Sequence, residues 1–332
     1  MNSDWMNKPH TRRDALGSLL MAGGVAGGGL LLGACTGSSQ VQAATPRRVP
    51  VNLADPAQSL RTLITLTGNL DPTNEPPGWF GGTIFSDTRR DRPLMPLIGV
   101  EGFGVVRTEE QPDGSFRVFN RECAFYKDLK TGEFIDTWIN PYTKEVCDVK
   151  PIHNLTVNAH LIVSKKFAGT AIEMDFDGTL MEVPLRLGWE NFGDKLFSTF
   201  EVHTAFPSEL TPEKWPRESA GKVLRIAEIF QRVASLADVE NPDTTSADYS
   251  GTWTRLGPWL PWMRQGQADG SLLFRTFMTK LEGIDQLPAG LRKITEERLP
   301  EFFQAPPASS WGSKNDSSFS VYAKESTPLP AK

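Results

Sequence analysis

The sequence predicts a mainly β protein: an antiparallel, barrel-like sheet that is closed or nearly closed, with a C-terminal helix and an aromatic cap segment. Between residues 79 and 205, roughly ten short runs alternate apolar and polar side chains or carry β-branched and aromatic residues. Turns join these runs, and the chain holds 29 Gly and 25 Pro. No strand–helix–strand rhythm interrupts them, which favours antiparallel neighbours over a parallel sheet.

Residues 120–154 contain the clearest local pattern. Turn signals at 128–132 and 140–144 divide this segment into three short runs. The middle run, 133–139, is rich in residues that favour a strand, namely Phe134, Ile135, Trp138 and Ile139. The pattern predicts a three-stranded meander in which each strand pairs with the next.

The remaining elements follow from local signals. An Asp-Pro pair predicts the start of a helix over 55–68, and an amphipathic pattern predicts a helix over 287–303. Segment 222–236 fits both a helical stripe and a strand alternation, and the count favours a helix. We expect residues 52–305 to form a single β-rich domain and the Ser- and Pro-rich residues 306–332 to form a flexible tail.

The first 43 residues have the pattern of a twin-arginine export signal followed by a tether. Arg12 and Arg13 precede a weakly apolar run at 17–32, which is shorter than the roughly 20 residues that span a bilayer. Cys35 ends a candidate lipobox and would become an acylated N-terminus, while Ala43 ends a competing site for ordinary signal peptidase. Either cleavage predicts an exported protein, periplasmic or attached to the envelope membrane by a lipid anchor on Cys35.

Cys123 and Cys147 are predicted to be unpaired and buried. In the meander they would lie on the first and third strands, nearly 10 Å apart, whereas a disulfide needs Cα atoms within roughly 7 Å. Counting from the turns places Cys123 opposite Thr137 and Cys147 opposite Trp138, and those two side chains point to opposite faces.

Composition argues against several classes of protein. The formal net charge is −5 and no basic stripe is present, so nucleic acid is not expected as a partner. The chain has no P-loop, nucleophile elbow or dinucleotide fingerprint. His153, His160 and His203 follow the signal without a recognisable ligand spacing. We therefore expect neither a metal nor a cofactor, and keep a His-ligated metalloenzyme as an alternative.

Three polar residues in the first strand of the meander are candidate catalytic groups. Glu122, Tyr126 and Asp128 are separated by even numbers of residues, so they share one face of a strand. Two carboxylates and a phenol on a face that lines a cavity can transfer protons, and His153 is a further candidate. The alternative is structural: Asp128 starts the turn, and Glu122 pairs with Arg107 or a neighbouring Lys.

Segment 253–263 and Trp138 supply the candidate ligand-binding residues. Proline at 258 and 261 prevents regular pairing, so the segment is expected to cover an opening of the barrel. Its aromatic side chains would form a wall or lid for a flat apolar ligand, and Arg255 would meet a carboxylate or phenolate on that ligand. The aromatic residues are Trp253, Trp259 and Trp262. The alternative is a hydrophobic plug with Arg255 stacked on an indole.

Five motifs resemble the domain-of-unknown-function family 1838 (DUF1838). They are EGFGVVR at 101–107, ECAFYKD at 122–128, TGE at 131–133, WINPYTKE at 138–145 and WTRLGPWLPWM at 253–263. The resemblance covers most of the chain after the signal, from about residue 60 to 306. It implies frequent export by a twin-arginine signal, in agreement with Arg12 and Arg13, and it implies no established activity.

These patterns lead to three hypotheses on function. The leading one is an exported protein that encloses a hydrophobic small molecule, such as a terpenoid, a steroid or an aromatic compound, and acts on it by cofactor-independent acid–base chemistry. The first alternative is a non-catalytic, lipid-anchored binding protein of the envelope. The second is the metalloenzyme.

Overall fold

The computed structural model describes residues 47–88, 93–176 and 179–331, which belong to one compact unit. The predicted export signal and Cys35 lie outside these residues. The strands are β1 Pro77–Asp87, β2 Met95–Glu110, β3 Phe116–Lys127, β4 Thr137–Ile139, β5 Val146–Asp148, β6 Ile152–Val163, β7 Thr170–Phe176, β8 Thr179–Phe192, β9 Lys195–Pro207, β10 Val223–Ser235, β11 Tyr249–Gly257 and β12 Ser271–Lys280. The α-helices are α1 Pro56–Thr67, α2 Leu236–Val239, α3 Ala289–Arg298 and α4 Ser318–Glu325.

Ten of these strands form a closed antiparallel barrel, which confirms the predicted fold class. The order around the barrel is β1-β12-β11-β10-β9-β8-β7-β6-β3-β2, and β2 pairs back to β1. Consecutive strands are neighbours except where the chain leaves the sheet, because short turns return each strand beside the one before it. Alternate residues of every strand therefore point into the barrel.

The predicted meander is confirmed in its second pairing, between β4 and β5, and is wrong in its first, between β3 and β4. β3 pairs with β2 and β6, while β4 and β5 form a separate two-stranded sheet. After the turn at 128–132, only the isolated bridge between Lys127 and Phe134 connects β3 to the following segment. The 12-residue β6 satisfies more of the backbone groups of β3 than the three-residue β4 can, which explains the preference.

The cysteine prediction is confirmed in its result and corrected in its geometry. Cys123 and Cys147 are both free and buried. Cys147 lies opposite Trp138 as expected, but Cys123 lies opposite His153 and not opposite Thr137.

Two further predictions are corrected. The helix favoured at 222–236 is strand β10, which is hydrogen-bonded to β9 on one side and β11 on the other. Pairing along both edges outweighs a helical stripe that had no caps to support it. The tail at 306–332 is also not loose over its length: α4 forms there with a capping box at Ser317, and Phe319 and Tyr322 are buried.

Helices and loops cover the outside and the two ends of the barrel. α3 packs on the outward face of β2 and β3, where a separate apolar cluster includes Phe103, Cys123 and Leu291. α1 covers one end, and its residues Leu63 and Ile64 line the interior. Among the described residues, no helix is both long and apolar enough to cross a bilayer.

Candidate functional site

Two polar cross-strand pairs point into the barrel. Glu122 of β3 lies opposite Asn154 of β6, and Glu228 of β10 lies opposite Arg255 of β11. Cross-strand partners share a face of the sheet, and all four side chains line one internal cavity. The curvature of the closed sheet thus brings together residues that are far apart in the sequence.

Each carboxyl has a partner with a different chemistry. The Asn154 side-chain amide donates to Glu122 Oε1 at 2.8 Å. Arg255 Nε lies 3.8 Å from Glu228 Oε1, an ion pair without a close hydrogen bond. The Arg255 guanidinium also lies over the Phe274 ring, 5.1 Å from its centroid. Glu122 is held by a neutral group, whereas Glu228 is held by a cation.

Burial makes the protonated form of both carboxyls more favourable. The pKa of Glu122 is raised from 4.5 to about 7, first by desolvation and then by the charge of Glu228, while the Asn154 amide and Arg255 act in the opposite direction. The pKa of Glu228 is also raised by desolvation, with Arg255 and the nearby Trp253 indole opposing it. Glu122 therefore changes its charge near neutral pH.

Two internal cavities meet at Glu122 and Trp253, which line both of them. The smaller measures about 130 Å³ and holds the two polar pairs. The larger measures about 270 Å³, close to the lower end of the roughly 300–1,000 Å³ found for ligand pockets. Its lining is mostly apolar and includes Leu63, Ile64, Phe80, Val106, Val118, Leu161, Ile172, Phe200, Phe230 and Met278.

Different segments close the two cavities. Leu260 from the aromatic segment and Phe319 from the start of α4 line the smaller cavity, together with Ser317 and Ser318. The helix α1 lines the larger cavity at the opposite side. The C-terminal segment, which composition alone assigned to a loose tail, is therefore part of the wall of the site.

The predicted ligand-binding residues divide into two groups. Trp253 and Arg255 line the smaller cavity. Trp138 and Trp262 instead pack edge-to-face, with ring centroids 5.6 Å apart, and Trp259 donates its indole N–H to the Ala268 carbonyl at 3.1 Å. These three line neither cavity. Trp259 and Trp262 pack as in the hydrophobic plug that was the alternative for this segment, but Arg255 stacks on the Phe274 ring and not on an indole.

The predicted catalytic residues of β3 and its turn also differ in whether they line the cavities. Tyr126 shares the inward face with Glu122 but packs against Trp262 at 5.0 Å, and burial raises the pKa of its phenol. Asp128 is an exposed turn residue that accepts the backbone N–H groups of Lys130 and Thr131. Only Glu122 of these three lines the cavities, so the structural alternative holds for Asp128.

His153 is not part of the site. It lies opposite Cys123 on the outward face of the sheet, and its ring packs 4.7 Å from the Phe302 ring. Burial lowers the pKa of this imidazole. Because neighbouring residues of a strand point to opposite faces, the inward position belongs to Asn154.

Sequence reasoning missed Glu228, Asn154 and Arg232, all of which point into the barrel. The only signal for Glu228 and Arg232 was the strand alternation of segment 222–236, which the helical interpretation set aside. In the described part of the chain, no three His, Cys, Asp or Glu residues lie close enough together to hold a metal ion. The alternative of a His-ligated metalloenzyme therefore gains no support from a cluster of ligands.

Comparison with known proteins gives one finding. A family model described as "Protein of unknown function (DUF1838)" matches residues 78–326, which is most of the chain. No curated protein matches the sequence.

Proposed function

We propose that this chain, which belongs to the DUF1838 family of proteins of unknown function, encloses a hydrophobic small molecule in its barrel and performs acid–base chemistry on it. One observation carries the proposal: the Glu122 carboxyl lines both internal cavities and has a pKa of about 7. A group that is half protonated at neutral pH is suited to donate and accept protons.

The lining of the cavities supports an apolar ligand. Most side chains around the larger cavity are aliphatic or aromatic, and the indole of Trp253 forms part of both walls. A terpenoid, a steroid fragment or an aromatic compound fits this surface, because burial of its apolar area supplies the binding energy.

The polar pairs support a proton-transfer reaction that needs no second substrate. In its ionised form, Glu122 takes a proton from a carbon of the ligand and returns it to another carbon, which balances as an isomerisation. Arg255 stabilises negative charge that develops on a ligand oxygen, while Glu228 holds the guanidinium in place. The neutral Asn154 amide fixes the Glu122 carboxyl without removing its basicity.

Arg12, Arg13 and Cys35 support an exported location for this activity. The twin-arginine route carries folded proteins, and a lipid on Cys35 would hold the barrel at the envelope membrane. Labelling of the wild-type protein and a Cys35→Ser variant with a fatty-acid analogue tests the anchor. Label in the wild type alone supports it, and equal label in both proteins contradicts it.

Binding is tested with N-phenyl-1-naphthylamine, a neutral aromatic probe that fluoresces in apolar surroundings. We expect the wild type to bind it and Val118→Trp, which adds an indole to the larger cavity, to bind it at least about tenfold more weakly. The matched control is Phe277→Trp, because Phe277 is 71 % exposed on the outside of the barrel. Equal binding by the three proteins would contradict a ligand site in the lumen.

Chemistry is tested by native mass spectrometry of the protein isolated from its own host. The wild type and Glu122→Gln should both carry an apolar molecule, and the variant should accumulate the substrate. For an isomerisation the two masses agree, so the released molecules are separated by chromatography. The same molecule from both proteins would favour the alternative, a non-catalytic binding protein in which the Glu122–Asn154 pair is structural.

A further inference from the structure

Arg232 of β10 points into the barrel, and no carboxylate of the described residues forms an ion pair with it. Arg232 is only 5 % exposed and lines the larger cavity. Within the described residues, its Nε and Nη1 atoms have no hydrogen-bond acceptor. Burial of a guanidinium without an anion destabilises the folded state, because its N–H donors lose water and two of them gain no acceptor.

Aromatic rings hold this guanidinium in place. Its central carbon lies 5.1 Å from the centroid of the Tyr249 ring and 5.3 Å from that of the Phe230 ring. Stacking on these faces positions the planar group but supplies no acceptor for its Nε and Nη1 donors. The donors stay available to a planar acceptor in the cavity.

A second unsatisfied polar group lies beside the first. Ser198 is the cross-strand partner of Arg232, it is buried, and its hydroxyl has no hydrogen-bond partner among the described residues. Buried polar groups without partners are rare in folded proteins, and two adjacent ones indicate a missing acceptor. An oxyanion satisfies both a guanidinium and a hydroxyl.

A second cation, Lys280, lies near Arg232 at this end of the barrel. Lys280 points to the same side, where its ammonium donates to the carbonyls of Thr65 and Gly68 at the end of α1. Arg232 and Lys280 repel each other, and the nearby carboxylate, Asp248, is on an exposed loop. A negative group in the larger cavity would compensate Arg232, which lines it, and would reduce the repulsion between Arg232 and Lys280.

We propose that the ligand of this barrel is amphipathic, with a carboxylate head bound by Arg232 and Ser198 and an apolar body that extends past Trp253 towards Glu122. This inference rests on the proposed function. It also adds a length: Glu228, which lines the same smaller cavity as Glu122, is four residues from Arg232 on one strand, or about 13 Å. A medium-length carboxylic acid spans that distance.

The test is competition against bound N-phenyl-1-naphthylamine by three ten-carbon molecules: decanoate, decan-1-ol and decylamine. In the wild type, we expect decanoate to displace the probe at a concentration at least about tenfold below that of decan-1-ol, and decylamine to be the weakest. Arg232→Gln should remove the preference for decanoate while leaving displacement by decan-1-ol unchanged.

The matched control is Arg117→Gln. Arg117 also stacks on an aromatic ring, at 4.7 Å from Trp311, but outside the barrel, so its loss should leave the preference intact. Arg232→Lys, which keeps the charge but not the planar fork, should retain part of it. If Arg232→Gln does not fold, the order of the three ligands in the wild type and Arg232→Lys decides.

Three outcomes would overturn the inference: decanoate and decan-1-ol compete equally in the wild type, decylamine competes best, or the preference survives in Arg232→Gln. Failure of the proposed enclosure looks different, because the probe itself would then not bind to the wild type. A second probe, 8-anilinonaphthalene-1-sulfonate, carries a sulfonate and tests whether Arg232 binds anionic head groups other than a carboxylate. Binding of this probe that Arg232→Gln leaves unchanged would also count against a head-group site at Arg232.

Discussion

Replacement of Glu122 by Gln should stabilise the unliganded protein at alkaline pH. The variant keeps the shape of the side chain and an oxygen that accepts from Asn154, but it cannot ionise. In the wild type, the carboxyl must give up its proton in a buried position next to Glu228. Gln removes that cost while leaving the surrounding contacts in place.

The magnitude follows from the pKa. Because the Glu122 pKa rises from 4.5 to about 7 on folding, the protonated carboxyl is favoured in the folded state. Its stabilising contribution is complete below pH 4.5 and is lost as pH rises towards 7. Relative to Gln, the wild type should be less stable by about 1 kcal/mol at pH 5 and by up to about 3 kcal/mol at pH 8.

Urea denaturation at pH 5 and pH 8, followed by Trp fluorescence, measures this difference. The control is Glu110→Gln, since Glu110 pairs with Arg61 at the surface, with both side chains about half exposed. Its effect should stay within about 0.5 kcal/mol at both pH values. If Glu122→Gln changes stability by the same amount at pH 5 and pH 8, or destabilises the protein at pH 8, the assignment of a raised pKa to Glu122 is wrong.

Three other substitutions or measurements check separate parts of the structure. Arg255→Met should lower the free energy of unfolding by about 1–2 kcal/mol at pH 8 and by less at pH 5. Without its cation Glu228 protonates more readily, and at pH 5 the proton replaces part of the lost interaction. Urea denaturation at the two pH values measures this difference. Lys280→Met should lower the free energy of unfolding by about 1–3 kcal/mol, because the carbonyls of Thr65 and Gly68 lose their donor. It should also speed amide hydrogen exchange at the end of α1. In a Cys35→Ser variant, a thiol reagent should label Cys123 and Cys147 only after unfolding, since burial raises both thiol pKa values. Rapid labelling of the native protein would contradict their burial.

The barrel was predictable because its signals are local. Alternation with a period of two and Gly- or Pro-containing turns act within about a dozen residues, and they indicate antiparallel neighbours directly. The pairing of β3 with β6 was not predictable in the same way. It depends on which distant strand satisfies the most backbone groups, and the turn at 128–132 pointed to the nearer and shorter β4.

The site was predictable only in part for the same reason. Even spacing placed Glu122 and Tyr126 on one face, which the closed barrel turns inward, and the aromatic segment supplied Trp253 and Arg255. Asn154 and Glu228 reach Glu122 only after the sheet closes, and the helical interpretation of segment 222–236 concealed the inward alternation of Glu228. The sequence could not separate Trp253 from the plug residues Trp259 and Trp262, because all three lie within one irregular segment.

Three buried ionisable groups in one lumen share an energetic property. Glu122 and Lys280 both have pKa values of about 7, and burial lowers the pKa of Arg232. For Glu122 and Arg232, burial makes the empty protein less stable near neutral pH than a neutral replacement would, whereas Lys280 offsets its burial by donating hydrogen bonds to the end of α1. A ligand that presents an acid at one end and a group that exchanges a proton at the other would relieve these costs together, and its binding would raise the stability of the folded state by mass action. Natural proteins retain such locally unfavourable residues mainly where they serve a function. We therefore expect decanoate to raise the Tm of the wild type more than that of Arg232→Gln. An equal rise in Tm would contradict the idea that the buried Arg232 is retained because it binds the ligand.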